Sequence, residues 1–301
     1  PLSLKEALEA LGKPGARALA GGTDLLNRLR DGRDKPSLVV WLGRVNGLAD
    51  ISASDGFLRI GAAAPMREIE RYFAAGLAGA GFAALAEAIN SVGGTQIRNV
   101  ATLGGNIGNA SPGADTPPAI IALGGEIESA RLDGKGAVAV RRTPAEKFFT
   151  GPGKTILERG ELVTAVILPL AGAGTGAGTG PGGNVAAAGA GSAFRKLARV
   201  TLDIAKTNCA VWIRREGDTI AAIRVALGSV APTPVRAVHV EKGLIGRRFG
   251  IEAVKSAAAE TAADAAPITD IRSSREYRQA VLPVLAADMI TEAYARSGGN
   301  I

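Results

Sequence analysis

The sequence predicts an α+β protein built from more than one domain, and three observations carry that prediction. Two stretches, residues 18–25 and 102–106, each hold a glycine pair beside an apolar segment, the pattern of a loop that brings backbone close to a ligand. Residues 204–214 and 219–228 alternate with the period of a strand and are joined by Arg215, Glu216, Gly217 and Asp218, which marks an antiparallel hairpin. Between these regions, residues 171–191 are dominated by Gly, Ala and Thr, which bury too little to pack, so they read as a linker or insertion. At 301 residues the chain also exceeds the roughly 250–300 residues at which one core stops growing.

The elements follow in order. Ser3 and Glu6 read as a capping box, with Leu4, Ala7, Leu8 and Leu11 at helical spacing and Gly12 and Pro14 as the stop. The chain opens directly on this helix and reads as lacking a short leading strand. Residues 16–20 form a small strand running into Gly21, Gly22, Thr23 and Asp24, followed by a helix over 25–30 and a strand over 37–42. This unit, residues 1–51, and a second, 52–170, make up the expected N-terminal domain. In the second unit come a strand at 57–61, a helix opening at Pro65 with Met66, Ile69 and Phe73 on one face, and an alanine-rich helix at 82–90. These deliver the chain into a glycine-lined loop system between helices, residues 91–125. Residues 126–132 and 137–141 flank Asp133, Gly134, Lys135 and Gly136 as a hairpin; Thr143 opens a short helix, and 161–168 is a strand ended by Pro169. The C-terminal domain, 192–301, holds the second hairpin, a helix over 251–265, and a last helix capped at Ser273 and Ser274 with Tyr277, Val281, Leu285, Met289 and Ala293 down one side.

Composition removes several function classes. The net charge is +7, but Lys and Arg are scattered and aromatics make up 4% of residues, so no basic stripe with interleaved aromatics exists to bind nucleic acid. A basic surface suits an acidic partner subunit or a phosphate-bearing cofactor equally well. One cysteine, Cys209, and one histidine, His239, leave no disulfide framework, no cluster held by this chain's own thiolates, and little support for a zinc site or a Ser-His-Asp triad. No apolar run approaches the roughly 20 residues of a membrane span, and no signal-peptide pattern appears, so a soluble cytoplasmic protein is expected.

The glycine loops point to an anion. A strand, a glycine turn and a helix start suit phosphate, and Gly104 and Gly105 are expected to reach positive φ so that successive N–H groups converge. Two such loops could hold the diphosphate of one nucleotide, and because they lie in different subdomains the ligand itself is expected to hold them together. Thr23 is the better phosphate donor, whereas Asp24 reads as a cap on the helix beginning at Leu25. Arg98 has two equal readings, a phosphate ligand or the partner of a carboxylate. Trp41 and Trp212 are expected in the core, Cys209 as a small buried hydrophobe, and His239 at a surface or interface. Two further motifs fail their context. Gly178, Gly180 and Gly183 match G-x-G-x-x-G without a preceding strand or following helix, and Gly153-Lys154-Thr155 ends like a P-loop but has Phe148 where the first glycine is required.

Taken together, Ala20-Gly21-Gly22-Thr23-Asp24-Leu25 and Gln96-Ile97-Arg98-Asn99-Val100-Ala101-Thr102-Leu103-Gly104-Gly105-Asn106-Ile107, with Asp115 and Pro118 following, resemble the FAD-binding medium subunit of the molybdenum hydroxylases, the xanthine dehydrogenase and carbon monoxide dehydrogenase family. The resemblance continues through Phe148-Phe149-Thr150-Gly151-Pro152, Asp203-Ile204-Ala205, residues 225–237 and Glu276-Tyr277-Arg278, covering almost the whole chain in order. It implies a two-subdomain FAD-binding domain of the vanillyl-alcohol oxidase (PCMH) type, followed by an antiparallel sheet with helices. It assigns Ala18, Leu19, Ala20, Gly21, Gly22, Thr23, Asp24 and Leu25, with Thr102, Leu103, Gly104, Gly105 and Asn106, to FAD. Asp115 is similar to the acidic residue near the adenosine ribose, and Leu162 and Lys196 to positions lining the flavin.

The resemblance further implies a large subunit with the molybdenum cofactor, a small subunit with two 2Fe–2S clusters, and a dimer of heterotrimers. This chain would pass electrons to an acceptor such as NAD or a quinone, the cofactor doing the redox chemistry while the protein supplies binding and electrostatics. A branch carrying an extra 4Fe–4S cluster on this subunit is disfavoured, because Cys209 alone cannot ligate one. Two alternatives stay open: a free-standing FAD oxidase or reductase of the same flavin fold, and a non-catalytic nucleotide-binding scaffold.

Overall fold

A computed structural model describes residues 1–77, 79–170 and 188–301. Helix α1 (Leu4–Leu11) is capped by Ser3, whose Oγ accepts from the Glu6 N–H at 3.2 Å, and it buries Ala7, Leu8 and Leu11. Strand β1 (Ala16–Leu19), helix α2 (Leu25–Arg30) and strand β2 (Leu38–Trp41) form a β-α-β unit in which β1 and β2 pair in parallel, Ala16 opposite Leu38. Parallel pairing requires a crossover, so the first glycine loop necessarily sits at the end of β1, where the chain leaves the sheet.

Strand β3 (Ile51–Ser54) turns through Asp55 and Gly56, both at positive φ, into β4 (Phe57–Gly61). Asp-Gly is the signature of this tight hairpin, but Ile-Ser-Ala-Ser carries a single strongly apolar residue, and a pattern reading ends the first unit there. Helices α3 (Met66–Tyr72), α4 (Ala83–Asn90), α5 (Thr95–Arg98), α6 (Leu103–Asn109) and α7 (Thr116–Ala122) follow. The expected loop system at 91–125 is therefore largely three short helices. Strands β5 (Glu126–Leu132), β6 (Val138–Pro144), β7 (Phe149–Gly151), β8 (Lys154–Thr155) and β9 (Leu162–Pro169) complete this part. A five-stranded antiparallel sheet has the order β3-β4-β9-β5-β6, and β7 pairs with β8 alone. Thr143 opens no helix: β6 runs on through Pro144, and only a 3₁₀ turn at Ala145–Lys147 follows.

Most of the Gly- and Ala-rich stretch, with its G-x-G-x-x-G look-alike, lies outside the described residues. Its end does not: Ala190 and Gly191 already belong to β10 (Ala190–Leu197). A β-carbon on Gly191 would meet the Ala293 carbonyl at 2.2 Å, so close packing against the last helix explains a glycine in this strand. Strands β11 (Thr207–Glu216), β12 (Thr219–Gly228) and β13 (Val235–Arg236) extend the sheet in sequence order. Helices α8 (Val238–Leu244), α9 (Ile251–Ala259), α10 (Thr261–Asp264) and α11 (Arg275–Arg296) complete the chain. The helix expected over 251–265 is broken at Glu260, where the buried Thr261 hydroxyl turns back onto the Ala258 carbonyl at 2.8 Å. Ser274 caps α11, its Oγ accepting from the Tyr277 N–H.

Both faces of the C-terminal sheet are buried. Along β11, Ala210 and Trp212 join the core shared with α4 and α7, while Cys209, Val211 and Ile213 join the core under α8, α9 and α11. The period of two in a strand thus knits the two halves of the chain together. Polar bonds reinforce the seam: Glu87 accepts from the Phe194 N–H at 2.8 Å, and Arg224 Nε donates to the Ala122 carbonyl at 2.7 Å. Trp212 is core as expected, but Trp41 is 49% exposed. It stands on the outer face of a two-stranded sheet whose inner face is filled by Val40, and its ring covers Gly43.

Candidate cofactor-binding cleft

Gly21 and Gly22 follow β1 after one residue, Ala20. A β-carbon on Gly21 would fall 1.8 Å from the Val100 carbonyl oxygen, so the first loop lies with its backbone against the strand of chain entering the second. Gly22 turns at φ +75°, a conformation glycine adopts without strain. The two loops therefore touch through their own backbones, so protein contact as well as any ligand holds them side by side.

The second loop also differs from its expected conformation. Thr102 is the N-cap of α6, its Oγ1 accepting from the Gly105 N–H at 3.1 Å, and Gly104 and Gly105 lie in the first helical turn, not at positive φ. Their glycines have separate causes. Gly104 donates to the Ala62 carbonyl at 2.9 Å, and a β-carbon there would sit 2.5 Å from the Ala62 methyl, so packing demands it. Gly105 meets only Thr102 Oγ1, at 3.0 Å, and faces open space. Asn106 is held by the Thr116 hydroxyl, which donates to its Oδ1 at 2.6 Å.

Between these loops runs a cleft of about 920 Å³. It is at the upper end of the roughly 300–1,000 Å³ typical of ligand pockets. Ala18, Leu19, Ala20, Gly21, Gly22, Thr23, Asp24 and Leu25 line one side; Thr102, Gly104, Gly105 and Asn106 line another; Leu162 lines the floor formed by residues 157–163. Leu103 is fully buried and points into the core. Asp115 and Lys196 are not part of the cleft lining. They form a buried ion pair at 2.9 Å across the seam between α7 and β10, where Lys196 also donates to the Ser91 carbonyl and Asn208 donates to Asp115. Burial pushes the Asp115 carboxyl above the ordinary carboxylate value, and Lys196 pulls against that.

Asp24 makes no side-chain cap on α2 and is exposed near Arg28. Arg98 resolves to its carboxylate reading: its Nε donates to Glu70 at 2.6 Å and its Nη1 to the Gly93 carbonyl at 2.8 Å. Cys209 is fully buried, and burial pushes its thiol far up, which makes it inert. His239 is bound to Asp264 at the surface, through Nδ1 at 2.9 Å. Among the described residues no group of three His, Cys, Asp or Glu could hold a metal.

Pattern reading missed part of the wall. Gly153, Lys154 and Thr155 line the cleft as a tight hairpin, so the P-loop reading stays rejected while the lysine still faces the site. Lys13, Arg17 and Arg159 line it as well. The signal was weak because each is an isolated cation far from the others in sequence.

Residues 1–171 match the family described as the FAD binding domain in molybdopterin dehydrogenase, and residues 192–293 match the CO dehydrogenase flavoprotein C-terminal domain. The chain belongs to this family of FAD-binding oxidoreductase subunits. It is 33% identical to the xanthine dehydrogenase FAD-binding subunit of Escherichia coli O157:H7 over 99% of this chain and 96% of that one. It superposes on a chain of carbon monoxide dehydrogenase from Hydrogenophaga pseudoflava with a TM-score of 0.85 at 31% identity, covering 98% and 96% of the two chains. Quinoline 2-oxidoreductase from Pseudomonas putida 86 gives the same TM-score, 0.85, at 27% identity, over 99% and 96%.

Proposed function

We propose that this chain is the flavin-bearing electron-transfer subunit of a molybdenum hydroxylase, with FAD held in the cleft between its two glycine loops. The observation that carries the reading is the meeting of Gly21 with the Val100 carbonyl beside a cleft onto which Gly105 opens without a side chain. Backbone can approach a diphosphate there as closely as oxygen and nitrogen radii allow. The residues fit the group: Gly21, Gly22 and Thr23 on one side and Thr102, Gly105 and Asn106 on the other would hold the diphosphate, and Leu162 would offer apolar surface to a ring. Bound FAD supplies a carrier that accepts electrons singly or in pairs. The chain itself supplies position, exclusion of water and charge.

In this reading Asp115 and Lys196, on the seam between the two halves, act toward the ribose and the flavin edge. The chain divides into an FAD domain at 1–170, a linker from 171, and the C-terminal domain that begins with β10. Its partners are a large subunit with the molybdenum cofactor and a small subunit with two 2Fe–2S clusters, assembled as a dimer of heterotrimers in the cytoplasm. Electrons reach this chain from those clusters and leave it to NAD or a quinone. Two measurements test the reading. The purified chain should be yellow or become so with added FAD, and the native complex should carry stoichiometric molybdenum and iron. A colourless chain that binds no added FAD overturns it.

A further inference from the structure

The cleft's charges are unevenly paired. Each carboxylate lining it already has a cation: Asp34 and Asp24 share Arg28 at 3.0 and 3.9 Å, Glu158 has Arg131 at 2.5 Å, and Glu161 has Arg141 at 2.6 Å. Lys13, Arg17 and Lys154 line the same cleft and, among the described residues, have no ion pair and no side-chain hydrogen bond, while Arg159 reaches only the Gly12 carbonyl at 3.4 Å. These four come from the turn after α1, from β1, from β8 and from the loop before β9, so they ring the cleft from both subdomains. All four are exposed.

We infer that Lys13, Arg17, Lys154 and Arg159 form an anion-capture rim that draws the diphosphate of the incoming dinucleotide into the cleft. The inference rests on the FAD reading and adds a kinetic role to it. Uncompensated charge at the mouth of a cleft focuses field lines and raises the association rate by roughly 10- to 1,000-fold, while bonds made after seating decide the dissociation rate. The glycine loops would retain the cofactor; the rim would bring it there.

The test uses the full chain stripped of flavin, with association followed by quenching of flavin fluorescence at low and at high salt. The variant Lys13→Glu, Arg17→Glu, Lys154→Glu should bind FAD about tenfold more slowly at low salt, with the gap closing at high salt. Its dissociation rate, and the association of riboflavin, which has no phosphate, should be unchanged. A control with the same charge change outside the cleft, Lys135→Glu, Lys242→Glu, Arg247→Glu, should slow FAD much less. Equal rates in the two variants, or a change in dissociation alone, overturn the inference. Failure of the unaltered chain to bind FAD at all would instead sink the FAD reading.

Discussion

Gly21 lies against Val100 with no room for a side chain: its β-carbon would fall 1.8 Å from the Val100 carbonyl oxygen and 2.6 Å from the carbonyl carbon. The first loop of the β-α-β unit and the chain entering α6 are thereby locked at one distance, and the width of the cleft follows from that distance.

Gly21→Ala should force the loops apart. Because the obstruction is backbone on both sides, the expected cost is about 1–3 kcal/mol in urea denaturation together with loss of flavin retention. Gly105→Val is expected to act differently. Its neighbour is the Thr102 hydroxyl, so stability should fall less while flavin retention is still lost; unchanged flavin occupancy in a folded Gly105→Val protein would show that Gly105 does not face the ligand.

Lys196→Met leaves Asp115 buried without its cation, and breaking such a pair typically costs about 3–5 kcal/mol. The sign of the pH effect follows from the direction of the shift. Asp115 is raised above its ordinary value of 3.8, so stability from its protonation is present below that value and is lost as pH rises through the folded pKa. The Lys196→Met defect should therefore be largest at neutral pH and shrink on acidification, and adding Asp115→Asn should recover part of it. A defect independent of pH would refute this account.

Glu161 behaves in the opposite sense. Burial raises its carboxyl, but Arg141, the Glu158 N–H and the Ser129 hydroxyl outweigh that and leave it below its ordinary value of 4.5. Its stability contribution is present above that value and is lost as pH falls through the folded pKa. Glu161→Gln should flatten the acid limb of a stability-against-pH curve while costing most near neutrality. An unchanged acid limb in denaturation midpoints would count against the network.

Arg98→Met should destabilise the chain by about 1–3 kcal/mol, since buried Glu70 would lose its tighter partner and the Gly93 carbonyl its donor. Flavin binding should survive, because Arg98 spends its donors on protein groups. Selective loss of FAD with unaltered stability would restore the phosphate reading.

The sequence by itself settled what local chemistry and pattern can settle. Alternation in residues 204–214 and 219–228 marked the hairpin, seen as β11 and β12, the Ser3 and Ser274 caps placed helix starts, and the two glycine pairs marked where the chain lines one cleft. These features are legible because each depends on neighbours a few residues away. What only the tertiary structure decided depends on residues far apart in the chain. Gly104 is a glycine because of Ala62, and Gly21 because of Val100. Trp41 is exposed because β2 has one covered face, whereas Trp212 is buried because β11 has two. Asp115 finds Lys196 across the seam, and Lys13, Arg17, Lys154 and Arg159 come together only because the fold sets them, without an ion pair among the described residues, around one cleft. Packing contacts and charge balance are properties of distance in space, and a pattern read along the chain does not contain that distance.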